Sequence, residues 1–262
     1  MKLTKRTILI TGGTSGIGLE MAKQLLSRDN VVIVTGRDQS KLDQARRALP
    51  SLHTIKSDVS DPTAITALQA DVLARFPALD VLINNAGIMR NLNLNDSRGL
   101  DDVTREIEVN LSGPVRMVQQ FLPQLKKREE ALVVIVSSGL AFIPLPVSPL
   151  YSSTKAALHS YTQSLRVQLK GTNVSAVELA PPGTETPLFR GEFEAEMKGQ
   201  KAMNVSVLVK KAIAGIEAGK LEIRPGLSNV LKFMSRLAPN FMLGQLVKMS
   251  TPKPVKASAA VA

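Results

Sequence analysis

Tyr151 and Lys155 are the pair of residues in this sequence whose types and spacing point most directly to acid–base chemistry. The chain has only two tyrosines, so a tyrosine in a polar, motif-like segment is informative. The pair stands four positions apart at the start of an apolar-periodic stretch, which places both side chains on one face of a predicted helix. A phenol with a pKa of about 10 is a poor acid at neutral pH, and a neighbouring ammonium is expected to lower that pKa. The alternative for Tyr151 is a half-buried structural residue.

A glycine-rich turn at residues 11–18 is the second feature with chemical meaning. It follows the apolar run 7–10 and precedes a helical pattern that ends at Leu26. A strand, a tight turn and a helix direct unpaired N–H groups and the positive end of the helix dipole at an anion. Glycine allows the tight turn and lets the backbone approach a pyrophosphate closely. Taken alone, the turn predicts only an anion site.

Alternating strand and helix patterns along the chain would position these residues. Predicted strands lie at 7–10, 31–35, 52–56, 81–83, 131–136, 174–179 and 221–223, and a long helical region at 100–128 is interrupted near Gly113-Pro114. This alternation predicts a Rossmann-type, doubly wound α/β fold: a parallel sheet of about seven strands with helices on both faces. Polar clusters follow most of the strands, at the sheet edge where such folds bind ligands.

Composition excludes several classes of function. The absence of cysteine excludes disulfides and thiolate metal sites, and two histidines argue against a histidine metal site or a Ser-His triad, so we expect no metal. The net charge of +11 is spread along the chain without a block of five basic residues, which favours a solvated basic surface over nucleic-acid binding. No apolar run approaches the ~20 residues of a membrane span. We therefore expect a cytoplasmic protein.

Four motifs together resemble the compact branch of the short-chain dehydrogenase/reductase family. They are TGGTSGIG at 11–18, NNAG at 84–87, a serine followed by Tyr151-Ser-Ser-Thr-Lys155, and PGTET at 182–186. YxxxK alone is common by chance, whereas all four in this order on the expected strands are highly specific. The similarity covers about residues 5 to 225. It implies hydride transfer between a nicotinamide and a carbonyl or secondary alcohol.

The resemblance also implies catalytic roles. Tyr151 would give a proton to the carbonyl oxygen, and Lys155 would also hold the nicotinamide ribose. Ser138, thirteen residues before Tyr151, matches the serine that hydrogen-bonds the substrate oxygen, and the spacing favours it over Ser137. Asn110, in EVNLSG, matches the asparagine that breaks a helix and holds a water linked to the lysine. The alternative for Asn110 is a local helix kink.

The implied cofactor is NADP(H), favoured over NAD(H). Gly36 stands at the usual acidic position of the family, and Arg37, directly after it, offers a planar set of donors suited to a 2′-phosphate. An exposed surface charge and dual cofactor use are the alternatives for Arg37. The other implied nucleotide-binding residues are Gly12, Thr14, Ser15, Gly16, Ile17, Gly18, Asp58, Val59, Asn84, Ala86, Gly87, Tyr151, Lys155, Pro182, Gly183, Thr184 and Thr186.

Apolar residues in the loops expected around the nicotinamide predict a pocket for a hydrophobic ketone or alcohol, with ordinary loop packing as the alternative. These residues are Met89, Leu92, Leu94, Leu140, Phe142, Leu145, Leu188, Phe189 and Met197. Residues 187–204 resemble the mobile lid of the family in position.

The predicted organisation is a catalytic domain at 1–226, a helical extension of it at 227–250 and a disordered tail at 251–262. The extension departs from the family pattern, because many relatives end in a short tail. It is apolar and basic, and Pro239 should divide it into two helices. Packing of the extension on its own protomer or in a dimer ranks first, and contact with an anionic membrane surface ranks second. The whole protein is expected to form a homodimer or homotetramer.

The leading functional hypothesis is an NADPH-dependent carbonyl reductase, reversible as an alcohol dehydrogenase. A nucleotide-sensing or scaffold protein on the same fold is the alternative from a different class, and the intact set of Ser138, Tyr151 and Lys155 argues against it. An epimerase or dehydratase of the extended branch is disfavoured by the short C-terminal region.

Overall fold

A computed structural model describes residues 1–193, 196 and 200–250, without the side chains of 249 and 250. The strands are β1 (Thr7–Thr11), β2 (Val31–Gly36), β3 (His53–Lys56), β4 (Leu79–Asn84), β5 (Ala131–Val136), β6 (Val174–Leu179) and β7 (Glu222–Ile223). The helices are α1 (Gly16–Leu26), α2 (Gln39–Ala48), α3 (Pro62–Arg75), α4 (Leu100–Ile107), α5 (Gly113–Leu125), α6 (Pro149–Gln168), α7 (Pro187–Arg190), α8 (Val205–Glu217), α9 (Leu227–Leu237) and α10 (Pro239–Ser250). A π-helical segment, Glu108–Ser112, joins α4 to α5, and a 3₁₀ turn, Gly139–Ala141, follows β5.

The strands form one parallel sheet in the order β3-β2-β1-β4-β5-β6-β7. The strand order reverses between β1 and β4, which is where open α/β sheets place their ligand crevice. The predicted seven-stranded, doubly wound α/β fold is therefore confirmed.

Two hydrophobic cores cover the two faces of the sheet. Ile8 and Ile10 of β1 pack with residues of α1, α2 and α8, whereas Leu9 packs on the other face with α3, α5 and α6. Successive residues of a strand point to opposite faces, so a strand buried on both faces needs an unbroken apolar run. The run ALVVIV of β5 is buried at all six positions.

The long helical region is interrupted directly before Gly113-Pro114, close to the predicted place. Helix α4 widens into the π-helical segment after Ile107, and α5 then starts at Gly113. Pro114 stands in the first turn of α5, where a missing N–H is tolerated. Gly113 is required by packing, because a Cβ there would lie 2.8 Å from the carbonyl oxygen of Val59.

The C-terminal extension forms α9 and α10, divided at Pro239 as predicted. Leu231 and Leu246 are buried in a third hydrophobic cluster with Ile143, Leu145 and Phe193. One side of each helix therefore packs on its own protomer. The predictions for Met197 and for the tail at 251–262 lie outside the described residues. Among the residues described, no helix is long and apolar enough to cross a membrane.

Candidate active site

The carboxyl-terminal ends of β1, β2, β4, β5 and β6 border a cavity of about 840 Å³. All but three of the predicted site residues line it. The lining includes Gly12, Thr14, Ser15, Gly16, Ile17, Arg37, Asp58, Val59, Ala86, Gly87, Ser138, Tyr151, Lys155, Pro182, Gly183, Thr184 and Thr186. Gly18, Asn84 and Asn110 do not line it.

The glycine turn brings the backbone close to β4 and to the start of α1. Gly12 has a φ of +66°, and a Cβ there would lie 2.7 Å from the Cα of Ala86. Gly16, with a φ of +52°, opens α1, and no side chain among the described residues caps that helix at Ser15. The first N–H groups of a helix have no partner within it, so this end of α1 suits an anion. Gly18 has a packing role instead, because a Cβ there would lie 2.4 Å from the carbonyl oxygen of Gly12.

Asn84 does not line the cavity, whereas the next residue, Asn85, does. Asn84 ends β4 with its side chain buried, and neither amide atom has a hydrogen-bond partner among the described residues. Asn85 donates from Nδ2 to the carbonyl oxygens of Thr11 and Gly12, both at 3.0 Å. Thr11 Oγ1 accepts from the backbone N–H groups of Asn85 and Ala86. These bonds fasten the glycine turn to the end of β4.

Tyr151, Lys155 and Ser138 form one buried group on the cavity wall. Tyr151 and Lys155 both belong to α6, which begins at Pro149. Because they are four residues apart, they lie one turn apart on one side of this helix. Lys155 Nζ donates to the carbonyl oxygen of Val136 at 2.9 Å and lies 5.4 Å from the centre of the Tyr151 ring. The Ser138 hydroxyl accepts the N–H of Leu140 at 3.1 Å and lies near enough to the phenol to lower its pKa.

Burial sets the protonation of this group. It raises the pKa of Tyr151 to about 12, a rise that the Ser138 hydroxyl opposes and the charge of Glu106 increases. It lowers the pKa of Lys155 to about 8. The expected lowering of the Tyr151 pKa by Lys155 is therefore wrong for the polypeptide itself. Removal of the phenolate from water outweighs the effect of an ammonium that bonds to the Val136 carbonyl.

Ser137 also borders the cavity, but its hydroxyl is bonded elsewhere. It donates to Oε1 of the fully buried Glu178 at 2.5 Å, and Oε2 of Glu178 lies 2.7 Å from Nδ1 of His159. His159 stands four residues beyond Lys155 on α6, so these bonds tie α6 to the ends of β5 and β6. This engagement agrees with the choice of Ser138 over Ser137.

Asn110 lies in the π-helical segment behind the cavity wall. Its Oδ1 accepts from the N–H of Ile88, and its Nδ2 donates to the carbonyl oxygen of Ile88, both at 2.8 Å. Nδ2 also approaches Thr154 Oγ1 at 3.3 Å. A Cβ on Gly87 would lie 3.3 Å from Asn110 Oδ1 and 3.7 Å from Lys155 Nζ. Asn110 thus lies in the widened turn of the helix and near Lys155, but does not line the cavity.

Two cations border the cavity beyond the end of β2. Arg37 was predicted there, and Lys41, on the first turn of α2, was not. Asp38 Oδ1 accepts the N–H of Lys41 at 3.2 Å and so serves as the N-cap of α2. A Cβ at Gly36 would lie 2.9 Å from Thr14 Cγ2, so a larger residue requires Thr14 to move.

The apolar part of the wall is partly as predicted. Met89, Leu140, Leu145, Leu188 and Phe189 line the cavity, whereas Leu92, Leu94 and Phe142 do not. Leu94 is 72% exposed, and Phe142 packs edge-on against His159 at 5.1 Å between ring centres. Leu227, Leu231 and Leu246 of α9 and α10 complete the wall, and no motif in the sequence connected them to the site.

The family model and the relatives that match this chain identify the same protein family. Residues 6–197 match the family described as short chain dehydrogenase. The uncharacterized oxidoreductase DltE of Bacillus subtilis is 42% identical over 226 residues, covering 85% of this chain and 89% of that protein. The chain therefore belongs to the short-chain dehydrogenase family and shares its oxidoreductase fold.

Solved structures share this fold at low sequence identity. A short-chain dehydrogenase from Burkholderia cenocepacia in complex with NADP has a TM-score of 0.79 at 21% identity, covering 94% of this chain and 100% of that chain. A short-chain dehydrogenase/reductase from Burkholderia phymatum in complex with NAD has a TM-score of 0.80 at 20% identity, covering 98% of this chain and 100% of that chain.

Proposed function

We propose that this protein is an NADP(H)-dependent oxidoreductase that transfers a hydride between the nicotinamide and an apolar carbonyl compound or secondary alcohol. The observation that carries the proposal is the buried group of Ser138, Tyr151 and Lys155 on the wall of the cavity that the glycine turn also borders. A proton donor and a dinucleotide-binding turn on one cavity are what carbonyl reduction requires.

The residues present fit a dinucleotide. Gly12 and Gly16 adopt positive φ angles beside a helix N-terminus that no described side chain caps, which leaves its N–H groups to a pyrophosphate. The part of the cavity wall that extends from Asp58 to residues 182–186 would hold the rest of the cofactor. When bound, the nicotinamide supplies or accepts the hydride.

The protein's own contribution is to hold and move one proton. With a pKa of about 12, Tyr151 keeps its proton at neutral pH and can donate it to a carbonyl oxygen. Ser138, which lines the cavity with Tyr151, would place the substrate oxygen beside the phenol. The charge of the Lys155 ammonium would stabilise the phenolate that remains. Alcohol oxidation needs the phenolate at the outset, so alkaline pH favours that direction.

The preference for NADP(H) rests on the charges beyond β2. One structural neighbour holds NADP and another holds NAD, so the fold accommodates either. Here Arg37 and Lys41 border the cavity together with Asp38, whose carboxylate caps α2. Two cations favour a 2′-phosphate, and Gly36 offers no carboxylate to bond the ribose hydroxyls.

The proposed substrate is an apolar ketone or alcohol. Aliphatic side chains from the loops after β4, β5 and β6 and from the C-terminal helices line the cavity on that side. These side chains are Met89, Leu140, Leu145, Leu188, Leu227, Leu231 and Leu246. Burial of apolar substrate surface against them would supply binding energy without polar recognition.

The test removes the hydroxyl group of Tyr151 and keeps its aromatic ring. Tyr151→Phe should lower kcat by roughly 10²–10⁴-fold, the usual contribution of a positioned proton donor. NADPH binding, followed by its fluorescence, should stay within a few-fold of the wild type. Tyr161→Phe is the matched control, because Tyr161 lies on the same helix, is partly buried and does not line the cavity. Substrates would come from a carbonyl screen that follows NADPH absorbance.

Two results would contradict the proposal. Wild-type turnover by Tyr151→Phe would remove Tyr151 from the mechanism. Nucleotide binding by the wild type with no turnover across the screen would favour the sensor alternative.

A further inference from the structure

The C-terminal helices leave several large apolar side chains exposed. Val230, Phe233 and Leu237 recur at helical spacing on α9, opposite the buried Ser228 and Leu231. Phe233 is 64% exposed and Leu237 is 66% exposed, values far above those of side chains that pack in a core. The outer apolar face, as we name it, consists of Leu227, Val230, Phe233 and Leu237 of α9 with Phe241 and Val247 of α10.

The charge of the segment is entirely positive. From Ile223 to Ala262 the sequence holds six basic residues and no acidic residue, whereas the whole chain carries a net charge of +11. Lys232 bonds to Glu222 of β7 at 2.5 and 2.6 Å. Arg236 and Lys248 are exposed and form no ion pair with any residue that the structure describes. The outer apolar face is thus accompanied by two cations available to an anionic partner.

These two properties select among the candidate partners. A second copy placed face to face would bring Arg236 and Lys248 near the same two cations of the partner. This contact is unfavourable, because the segment has no carboxylate that could pair with them. An anionic bilayer offers an acyl region to phenylalanine, leucine and valine and offers phosphate groups to the cations. Aromatic and aliphatic residues on one side of a helix with basic residues at its margin are typical of helices that lie in the bilayer interface.

We propose that the outer apolar face of α9 and α10 docks the protein onto the surface of an anionic lipid bilayer. Neither helix spans a bilayer, since α9 has 11 residues and α10 has 12, so the attachment is peripheral. Leu227 belongs to the docking face and also lines the cavity, so the apolar wall of the cavity borders that face. The proposal goes beyond the proposed function, and turnover is not needed to test it.

The experiment measures co-sedimentation of the full chain with two kinds of vesicle. One is phosphatidylcholine mixed with phosphatidylglycerol, and the other is phosphatidylcholine alone. We expect the wild type to bind the anionic vesicles at least about tenfold more tightly and to dissociate as salt screens the charges. Phe233→Ser combined with Phe241→Ser should weaken binding at least about tenfold. Arg236→Gln combined with Lys248→Gln should do the same on anionic vesicles only.

Matched controls come from exposed residues elsewhere. Val167→Ser removes a 70% exposed apolar side chain of α6, and Arg46→Gln combined with Arg47→Gln removes two exposed cations of α2. Helix α2 lies beside β3, at the edge of the sheet opposite β7. These variants should bind like the wild type. Because every substituted side chain is exposed, all variants should keep the circular dichroism and urea midpoint of the wild type. The salt and lipid dependence of the wild type tests the proposal without any variant.

Three outcomes would overturn the proposal. The wild type would fail to sediment with anionic vesicles, or would bind both vesicles equally, or the Phe233 and Phe241 substitutions would leave binding unchanged. A dimer in analytical ultracentrifugation that these substitutions convert to a monomer, without vesicle binding by the wild type, would assign the face to a second copy.

Discussion

Replacement of Lys155 by an apolar residue should remove a cost in folding free energy that the wild type bears at neutral pH. Lys155 is only 3% exposed, and burial lowers its pKa from 10.5 to about 8. One pKa unit corresponds to 1.36 kcal/mol, so the charged lysine costs about 3 kcal/mol of folding free energy at neutral pH. Between pH 8 and 10.5 the unfolded chain still binds this proton whereas the folded chain has released it. Folding stability therefore rises with pH across that window.

Lys155→Met removes the titrating group and keeps an apolar side chain of similar length. The free energy of unfolding of the wild type, relative to this variant, should rise by about 2–3 kcal/mol from pH 7 to pH 10. Loss of the hydrogen bond to the Val136 carbonyl displaces the two curves without creating this slope. The raised pKa of Tyr151 affects stability mainly above pH 10, and both proteins contain it.

Urea unfolding in nucleotide-free buffer, followed by circular dichroism at pH 7, 8, 9 and 10, measures this difference. Lys210→Met on α8 is the control, because Lys210 is exposed and its variant should parallel the wild type. If the curves of the wild type and Lys155→Met stay parallel from pH 7 to 10, the ammonium is not desolvated in the folded protein. The account of the site electrostatics would then fail.

Two further predictions concern the cofactor and the buried polar network. At equal concentration NADPH should raise the melting temperature of the wild type more than NADH, and Arg37→Gln should weaken NADPH binding by roughly tenfold while leaving NADH unchanged. A wild type stabilised more by NADH would contradict the role given to Arg37. Glu178→Gln should destabilise the fold by about 1–3 kcal/mol in urea unfolding, because a buried charged acceptor of Ser137 and His159 becomes neutral. Glu129→Gln, at an exposed site, is its control, and equal midpoints for the two variants would show that the buried network contributes no stability.

The fold could be predicted because the patterns that indicate its strands and helices each lie within a short stretch of sequence. Each strand is an apolar run bounded by a turn, and each helix has its own period, so alternation alone indicated the parallel sheet. Ligand residues at strand ends followed from the same pattern. Asn84 and Asn85 show the limit of this reasoning: they are neighbours at a strand end, yet Asn84 is buried whereas Asn85 lines the cavity. The sequence does not say which of the two the sheet buries.

Other parts of the site depend on contacts between distant segments. Leu231 and Leu246 reach the cavity because the third hydrophobic cluster folds α9 and α10 back over the 3₁₀ turn, and no motif marks that contact. The pKa of Tyr151 depends on how completely the phenol is buried, which spacing within a helix cannot give. Gly113-Pro114 has the composition of a helix break, yet the widened turn lies where Asn110 bonds the backbone of Ile88.

The central position of β1 has a consequence for synthesis of the chain. The first four strands, complete by residue 84, already occupy consecutive places in the sheet, in the order β3-β2-β1-β4. Polypeptides leave the ribosome from the N-terminus, so these strands can pair before β5 has been translated. Strand β5 pairs with β4, and Ser138, Tyr151 and Lys155 all follow β5 in the chain. The half of the sheet that carries the glycine turn is thus available for folding before the catalytic side chains exist.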